Sequence, residues 1–234
     1  MQQVLFVILA LVIAIILHEV AHGIVAYWLG DYTAMRAGRL TLNPLKHVDR
    51  VGSIIVPLVL VVGQLVTIGR VAFAYGWAKP VPINPLHLRF GPYRSPRRLM
   101  AVVALAGPVM NFLLALLGGL AVHAAVALQS LALLSFLVAF IQINLLLGLF
   151  NLIPLPPMDG GRIAVGILPL RLAIGLAQAE KIGILAVLLV LFVLPLGLQQ
   201  FGIRFDPFNQ AVGVVLPWAE HIVLILTGND VGNN

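Results

Sequence analysis

Long apolar runs separated by short polar segments dominate the chain. Residues 4–17 are apolar without interruption and apolar character resumes over 23–29, so the pattern predicts one helix over 4–29, about 39 Å long. Other runs long enough to cross a bilayer occupy 99–129, 131–150, 182–198 and, more weakly, 208–226. The sequence therefore predicts an all-α polytopic membrane protein with about five to six membrane helices.

Two shorter segments predict extended backbone beside the helices. Residues 39–42 alternate polar and apolar side chains before Asn43 and Pro44, which is typical of a short strand that ends in a turn. Residues 77–85 contain three prolines, and each proline pushes the residue before it toward extended conformation. We therefore expect short membrane-associated β-strands near the functional site.

Three ionisable side chains, His18, Glu19 and His22, interrupt the first apolar helix. At helical spacing the two histidines stand one turn apart on the same face, so both imidazoles can contact one ion, while Glu19 is turned about 100° away. Each buried charged group costs about 2.5–3.5 kcal/mol in a membrane helix, which favours a bound cation. The same spacing is typical of HExxH zinc peptidases, whose glutamate acts on water at the metal.

The composition agrees with a membrane protein, because 61% of the residues are hydrophobic, 9% are charged and the mean hydropathy is +1.08. The formal net charge of +6 does not indicate nucleic-acid binding, since the basic residues lie in short loops between apolar runs. The chain contains no cysteine, so a zinc site has to use histidine and carboxylate ligands. Residues 1–234 are expected to form a single membrane-embedded domain.

Two histidines leave a catalytic zinc site one ligand short, and Asp159 is the candidate for the third. It is the acidic residue that lies between apolar runs, after three prolines at 154–157 and before Gly160 and Gly161. Unwound backbone at membrane depth is tolerated mainly where it lines a buried or wet cavity, which favours a functional carboxylate there. The alternative is an ion pair between Asp159 and Arg162.

Motifs at three places follow one another along the chain: HEVAH at 18–22, AGPVMN at 106–111, and Asn-x-x-Pro-x-x-x-x-Asp-Gly at 151–160. Together they resemble the site-two protease family of intramembrane zinc metalloproteases, in a compact form without a PDZ or nucleotide-sensing domain. The resemblance implies a catalytic core over about residues 4–162, followed by C-terminal helices over about 168–227.

The resemblance also implies roles for individual residues. One Zn2+ ion per chain would be bound by His18, His22 and Asp159. Glu19 would be the catalytic base, and Asn111 would hold the reacting carbonyl group, with a packing hydrogen bond between helices as the alternative for Asn111. We interpret Asn144 as an interhelical hydrogen-bonding residue.

A shared metal constrains the topology, because His18 and Asp159 must then lie on the same side of the membrane. Residues 51–68 have to enter and leave on that side, which predicts a re-entrant hairpin bent at an internal proline and glycine. This path leaves only Arg204 among the lysines and arginines on the opposite side. The positive-inside rule makes the site cytoplasmic, in a multi-pass protein of the cell (inner) membrane with its N-terminus outside.

These inferences predict a zinc metalloendopeptidase that hydrolyses peptide bonds in or near transmembrane segments, in regulated proteolysis or in clearance of membrane peptide remnants. Its expected partners are a membrane-protein substrate with a transmembrane segment and the lipid bilayer, and no nucleic acid. An unwound substrate could be added as a strand to residues 39–42 or 81–83. Two alternatives use the same residues: a membrane transporter or zinc carrier, or a catalytically idle binding protein of the same fold.

Overall fold

A computed structural model describes residues 1–69, 76–89, 95–189, 194–200 and 207–229, and this part of the chain is mostly helical. Nine α-helices are present there, together with a 3₁₀ turn at Pro44–Lys46 and a π-helical turn at Arg50–Ile55. The α-helices are α1 (Gln2–Trp28), α2 (Thr33–Arg36), α3 (Val56–Ile68), α4 (Pro96–Ala127), α5 (Leu131–Asn151), α6 (Asp159–Ile167), α7 (Leu170–Leu188), α8 (Leu194–Gln200) and α9 (Pro207–Leu226).

Three of these helices, α1, α4 and α5, are long and apolar enough to cross a membrane. They coincide within a few residues with the helices predicted over 4–29, 99–129 and 131–150. An all-α membrane protein is thereby confirmed. The total of five to six membrane helices stays a prediction, because the apolar parts of α7 and α9 that the structure describes are shorter.

Small side chains let the long helices pack closely around α4, which contacts α1, α5 and α6. Ala14 on α1 and Ala115 on α4 are fully buried, and a side-chain carbon on Gly118 would lie 3.0 Å from Ile141 on α5. Close backbone approach of this kind is what drives helix association where lipid replaces water. It brings the C-terminal half of α1 against the N-terminal half of α4.

The predicted strands are absent from the described residues, which corrects that part of the expected fold. Residues 39–42 form a bend after the left-handed Gly38, and the Arg39 side chain turns inward to bind the backbone carbonyls of Lys46 and Lys79. Residues 77–85 have no regular secondary structure up to 84, with a turn beginning at 85. Prolines in that segment lack the N–H groups that a β-ladder requires.

The re-entrant hairpin predicted over 51–68 stays a prediction. The structure has a π-helical turn at Arg50–Ile55 that continues into α3, and Pro57, one of the two predicted bends, lies in the first turn of α3. A proline is tolerated there because the carbonyl oxygen of Gly52, five residues earlier, accepts a hydrogen bond from the backbone N–H of Trp77 instead. Three basic residues used in the topology argument lie outside the described residues, namely Arg70, Arg94 and Arg204.

Candidate metal centre

Two histidines on α1 meet the first residue of α6 inside the described fold. His18 and His22 are 7% and 6% exposed, and their Nε2 atoms lie 3.0 Å apart. Oδ2 of the buried Asp159 lies 3.1 Å from Nε2 of His18 and 3.2 Å from Nε2 of His22. Among the described residues, this is the one group of three or more such side chains close enough to share a metal ion. The three residues predicted as ligands are thus adjacent in space.

The loop before α6 fixes the position of Asp159. Residues 152–158 form successive turns after α5, and two glycines follow the aspartate in the first turn of α6. A side-chain carbon on Gly161 would lie 2.6 Å from the backbone nitrogen of Pro156, and one on Gly160 would collide with backbone atoms of the same loop. Glycine at both positions therefore allows the loop and the helix to approach closely behind the carboxylate.

Hydrogen bonds on the far side of each imidazole set which nitrogen carries the proton. Nδ1 of His22 lies 2.8 Å from the backbone carbonyl oxygen of Val103, which can only accept, so Nδ1 carries the hydrogen. Nδ1 of His18 lies 2.6 Å from Oδ1 of Asn111, which is likewise an acceptor. In the neutral imidazoles, both Nε2 atoms therefore carry lone pairs, and these face the carboxylate of Asp159. Such outer hydrogen bonds are the usual way in which metal-binding histidines are oriented.

The chemistry of these three atoms fits a zinc ion. When both imidazoles are neutral, two Nε2 lone pairs and a buried carboxylate oxygen converge, and Oδ2 of Asp159 then has no hydrogen-bond donor. Three acceptors in this arrangement repel one another unless a cation lies among them. Tetrahedral zinc with nitrogen and oxygen ligands separates its ligand atoms by about 3.3–3.4 Å, and three protein ligands leave a fourth position open.

A glycine on α4 provides the room for both imidazole rings. A side-chain carbon on Gly107 would lie 2.5 Å from Nε2 of His18 and would overlap Nε2 of His22. Gly107 is buried and is followed by Pro108 within the helix. The middle of α4 therefore forms one wall of the candidate metal centre.

One carboxylate oxygen of Glu19 bonds a proline-rich segment. We call residues 77–85 the proline strap. The half-buried Glu19 accepts a hydrogen bond at Oε2 from the backbone N–H of Val81, at 2.8 Å. Val81 lies between Pro80 and Pro82, so it donates the single N–H group of that tripeptide to the carboxylate. Within the described residues no hydrogen bond reaches the other oxygen, Oε1.

A second carboxylate, Asp31, holds the other end of the proline strap. Asp31 is fully buried and accepts hydrogen bonds from Thr33 and, at 2.6 Å, from the backbone N–H of Asn84. Burial alone would raise the pKa of Asp31, but the hydrogen bonds from Thr33, Asn84 and His87 together lower that pKa below its usual value. The sequence around Asp31 does not indicate this role, because an acidic residue directly after a helix-ending glycine also occurs in ordinary surface turns.

The structure brings Asn111 to His18 and directs its amide nitrogen away from the metal centre. Nδ2 of Asn111 donates to Oδ1 of Asn144 on α5, at 3.0 Å, and the residue is fully buried. Asn144 joins α5 to α4 through this bond, as expected of an interhelical residue.

The Val103 carbonyl and the space at Gly107 were not foreseen, since neither a backbone acceptor nor a missing side chain leaves a sequence signal of its own.

Comparisons with known proteins bear on the same chemistry. The profile of Peptidase family M50 matches residues 117–194, a stretch that includes Asp159. The chain is 42% identical over 199 residues to the "Putative zinc metalloprotease YwhC" of Bacillus subtilis (strain 168), covering 82% of each protein. It is 31% identical over 163 residues to the "Putative zinc metalloprotease Rip2" of Mycolicibacterium smegmatis, covering 67% of this chain and 54% of that protein. No solved structure shows a significant match.

Proposed function

The chain belongs to peptidase family M50, the site-two protease family of zinc metalloproteases, and on this premise we propose that it cuts its substrates within or next to their transmembrane segments. The observation that carries the proposal is the location of the candidate ligands. His18 and His22 lie on α1, one of the three helices of membrane length, and Asp159 follows α5, another of them. All three side chains are buried within the apolar bundle.

The proposed mechanism gives each residue of the site one task. His18, His22 and Asp159 hold the zinc ion, which when bound supplies a Lewis acid that activates water and polarises the scissile carbonyl. Glu19 accepts the proton of the attacking water and passes it to the leaving amide nitrogen. The Val81 N–H holds Oε2 of Glu19, which leaves Oε1 for the proton.

The proline strap is the proposed place where an unwound substrate lies. Its backbone has no regular secondary structure from 77 to 84, and it touches Glu19 through Val81. Cavities of about 430 Å³ and about 390 Å³ border the strap, the first at Trp77 and Ala78 and the second at Pro80, Val81 and Ile83. A helix hides its carbonyl groups in its own hydrogen bonds, so a substrate has to be extended before its backbone can be attacked.

Cleavage of a membrane-anchored substrate tests the proposal. The purified chain and a single-span membrane protein are placed in the same lipid vesicles, and the products are mapped by mass spectrometry. We expect cuts inside or within a few residues of the apolar segment, abolished by a zinc chelator and restored by added Zn²⁺. The control substrate is a soluble peptide with the flanking sequence alone. Equal cleavage of the soluble peptide would contradict an intramembrane role.

We further propose that the site faces the cytoplasm and the N-terminus lies outside, in a multi-pass protein of the inner membrane. The support is the excess of lysine and arginine in the segments that flank the candidate site.

Single cysteines introduced into this cysteine-free chain test the orientation. Leu86, in the turn that ends the proline strap, and Leu128, after α4, make a matched pair because they are 78% and 71% exposed. In intact cells a membrane-impermeant maleimide should label the Leu128→Cys variant. The Leu86→Cys variant should be labelled only after the membrane is opened. The reverse pattern would refute the proposed orientation.

A further inference from the structure

A chain of buried amide groups leads from α5 through α4 to His18. Asn144 and Asn111 are both fully buried. Nδ2 of Asn144 donates to the backbone carbonyl oxygen of Phe140, at 2.8 Å, and Oδ1 of Asn144 accepts from Nδ2 of Asn111, at 3.0 Å. Oδ1 of Asn111 then lies 2.6 Å from Nδ1 of His18. The orientation of each amide in this series of hydrogen bonds is therefore set by the group before it.

The donor and acceptor in each of these hydrogen bonds follow from one atom that can only accept. The Phe140 carbonyl oxygen has no proton to donate, so the Asn144 atom that faces it is the amide nitrogen. Oδ1 of Asn144 then faces Asn111 and requires a donor there, which is Nδ2. The backbone oxygen of Ala14 lies on the same side of that nitrogen, at 3.5 Å, and agrees with the assignment. Oδ1 of Asn111 is left to accept from Nδ1 of His18.

From this chain we infer that Asn144 is a positioning residue which, through Asn111, keeps the proton of His18 on Nδ1 and its Nε2 lone pair on the metal. The inference rests on the proposed role of His18 as a zinc ligand. An amide has nearly the same shape in its two orientations, so packing alone does not choose between them. If Asn111 turned over, its NH₂ group would face Nδ1 of His18, the proton would move to Nε2, and the zinc-binding lone pair would be lost.

The inference assigns Asn144 more than the helix-joining role expected from the sequence. If Asn144 only joins α4 to α5, an apolar residue of similar size should lower stability, because Nδ2 of Asn111 loses an acceptor, but should leave zinc affinity unchanged. If Asn144 sets the orientation of Asn111, the replacement must keep an acceptor. A neutral carboxyl group keeps both features, since its OH can donate to Phe140 and its C=O can accept from Asn111.

The experiment compares Asn144→Leu with Asn144→Asp by zinc affinity, measured on the full-length chain in detergent by competition with a chelator. We expect Asn144→Leu to weaken zinc binding by about 10-fold or more, as changes behind a metal ligand usually do, and Asn144→Asp to retain most of the affinity. Ser135→Leu is the matched control on α5, because Ser135 also bonds the carbonyl four residues earlier, at 2.8 Å, and is exposed. It should bind zinc as the wild-type chain does.

Repeating the Asn144→Leu substitution in a chain that already carries Asn111→Asp separates the proposed role from a general packing defect. In an Asn111→Asp chain the carboxylate accepts from Nδ1 of His18 in either orientation, and its other oxygen has no proton to donate to Oδ1 of Asn144, so Asn144 no longer sets the proton of His18. Asn144→Leu should then cost little zinc affinity in that background, although it costs about 10-fold in the wild-type chain. Equal losses in both backgrounds would overturn the inference, because they would show a general packing defect.

The remaining outcomes are also decisive. An Asn144→Leu variant that binds zinc normally, or an Asn144→Asp variant that loses zinc, would overturn the inference. If Asn144→Leu fails to fold, the zinc affinity of Asn144→Asp still tests the inference. His18→Ala separates this inference from the proposed site: if that variant keeps its zinc, His18 is not a ligand and the site assignment fails. If it loses zinc while Asn144→Leu does not, only the role of Asn144 fails.

Discussion

We expect Glu19→Gln to lower the rate of peptide hydrolysis by about 10²–10⁴-fold, the range that a positioned general base contributes. Glutamine has the size of glutamate, and its amide oxygen can still accept the N–H bond from Val81. It has no basic oxygen to take a proton from water. Because His18 and His22 keep their places on α1, zinc should remain bound.

The measurement is cleavage of a single-span membrane protein in vesicles, with the zinc content determined on the same preparations. Glu220→Gln is the matched control, since it makes the same change in the apolar helix α9 and lies outside the group of candidate ligands. The control should cleave at the wild-type rate. If Glu19→Gln cleaves equally fast, the general base is another group; if it loses its zinc, Glu19 acts on metal binding.

The second large effect is expected from Gly107→Ala, which adds only a methyl group. A carbon at this position would lie 2.5 Å from Nε2 of His18 and would overlap Nε2 of His22. The rings cannot turn aside without breaking their Nδ1 hydrogen bonds to Asn111 and Val103, which measure 2.6 and 2.8 Å. We therefore expect zinc affinity to fall by about 100-fold or more, and proteolysis to fall with it.

Chelator competition in detergent measures the loss of zinc, and Gly175→Ala on α7 is the control. No described atom lies within 4 Å of a side-chain carbon built on Gly175. Alanine is the better helix former by about 1 kcal/mol, so the control should keep both zinc and stability. Wild-type zinc affinity in Gly107→Ala would mean that the metal does not bind between the two imidazoles.

The long helices could be predicted from the sequence because one physical requirement controls them. A segment that crosses a bilayer must satisfy its backbone hydrogen bonds internally over about 20 apolar residues, and a run of that length is visible without knowledge of its neighbours. The helices predicted over 99–129 and 131–150 correspond to α4 (Pro96–Ala127) and α5 (Leu131–Asn151). Helix periodicity likewise predicted that His18 and His22 share a face, and they do.

The segments between the helices could not be predicted in the same way, because distant contacts determine them. Residues 39–42 alternate like a strand, yet Arg39 is buried and bonds backbone carbonyls 7 and 40 residues further along the chain. The Val81 N–H reaches Glu19, which is 62 residues away. No local pattern of apolar and polar positions indicates such distant partners, so the alternation alone predicts a strand.

The residues behind the candidate ligands show a similar limit. Asn111 was expected to hold a reacting carbonyl group or to pack between helices, and both alternatives follow from an amide in an apolar helix. The structure adds the partners that define its orientation, His18 on one side and Asn144 on the other. Which way an amide points depends on the crossing of α1, α4 and α5, and that crossing is not encoded in any one helix.

The candidate ligands come from widely separated parts of the chain, and this has a consequence for the order in which the protein is made. Synthesis releases His18 and His22 early, while Asp159 follows only after α4 and α5 have been completed. A nascent chain that lacks α6 can offer a metal two imidazoles and no carboxylate. If these three residues form the zinc site, hydrolytic competence arises late in biogenesis, once the bundle has assembled, and an unfinished chain has no complete site.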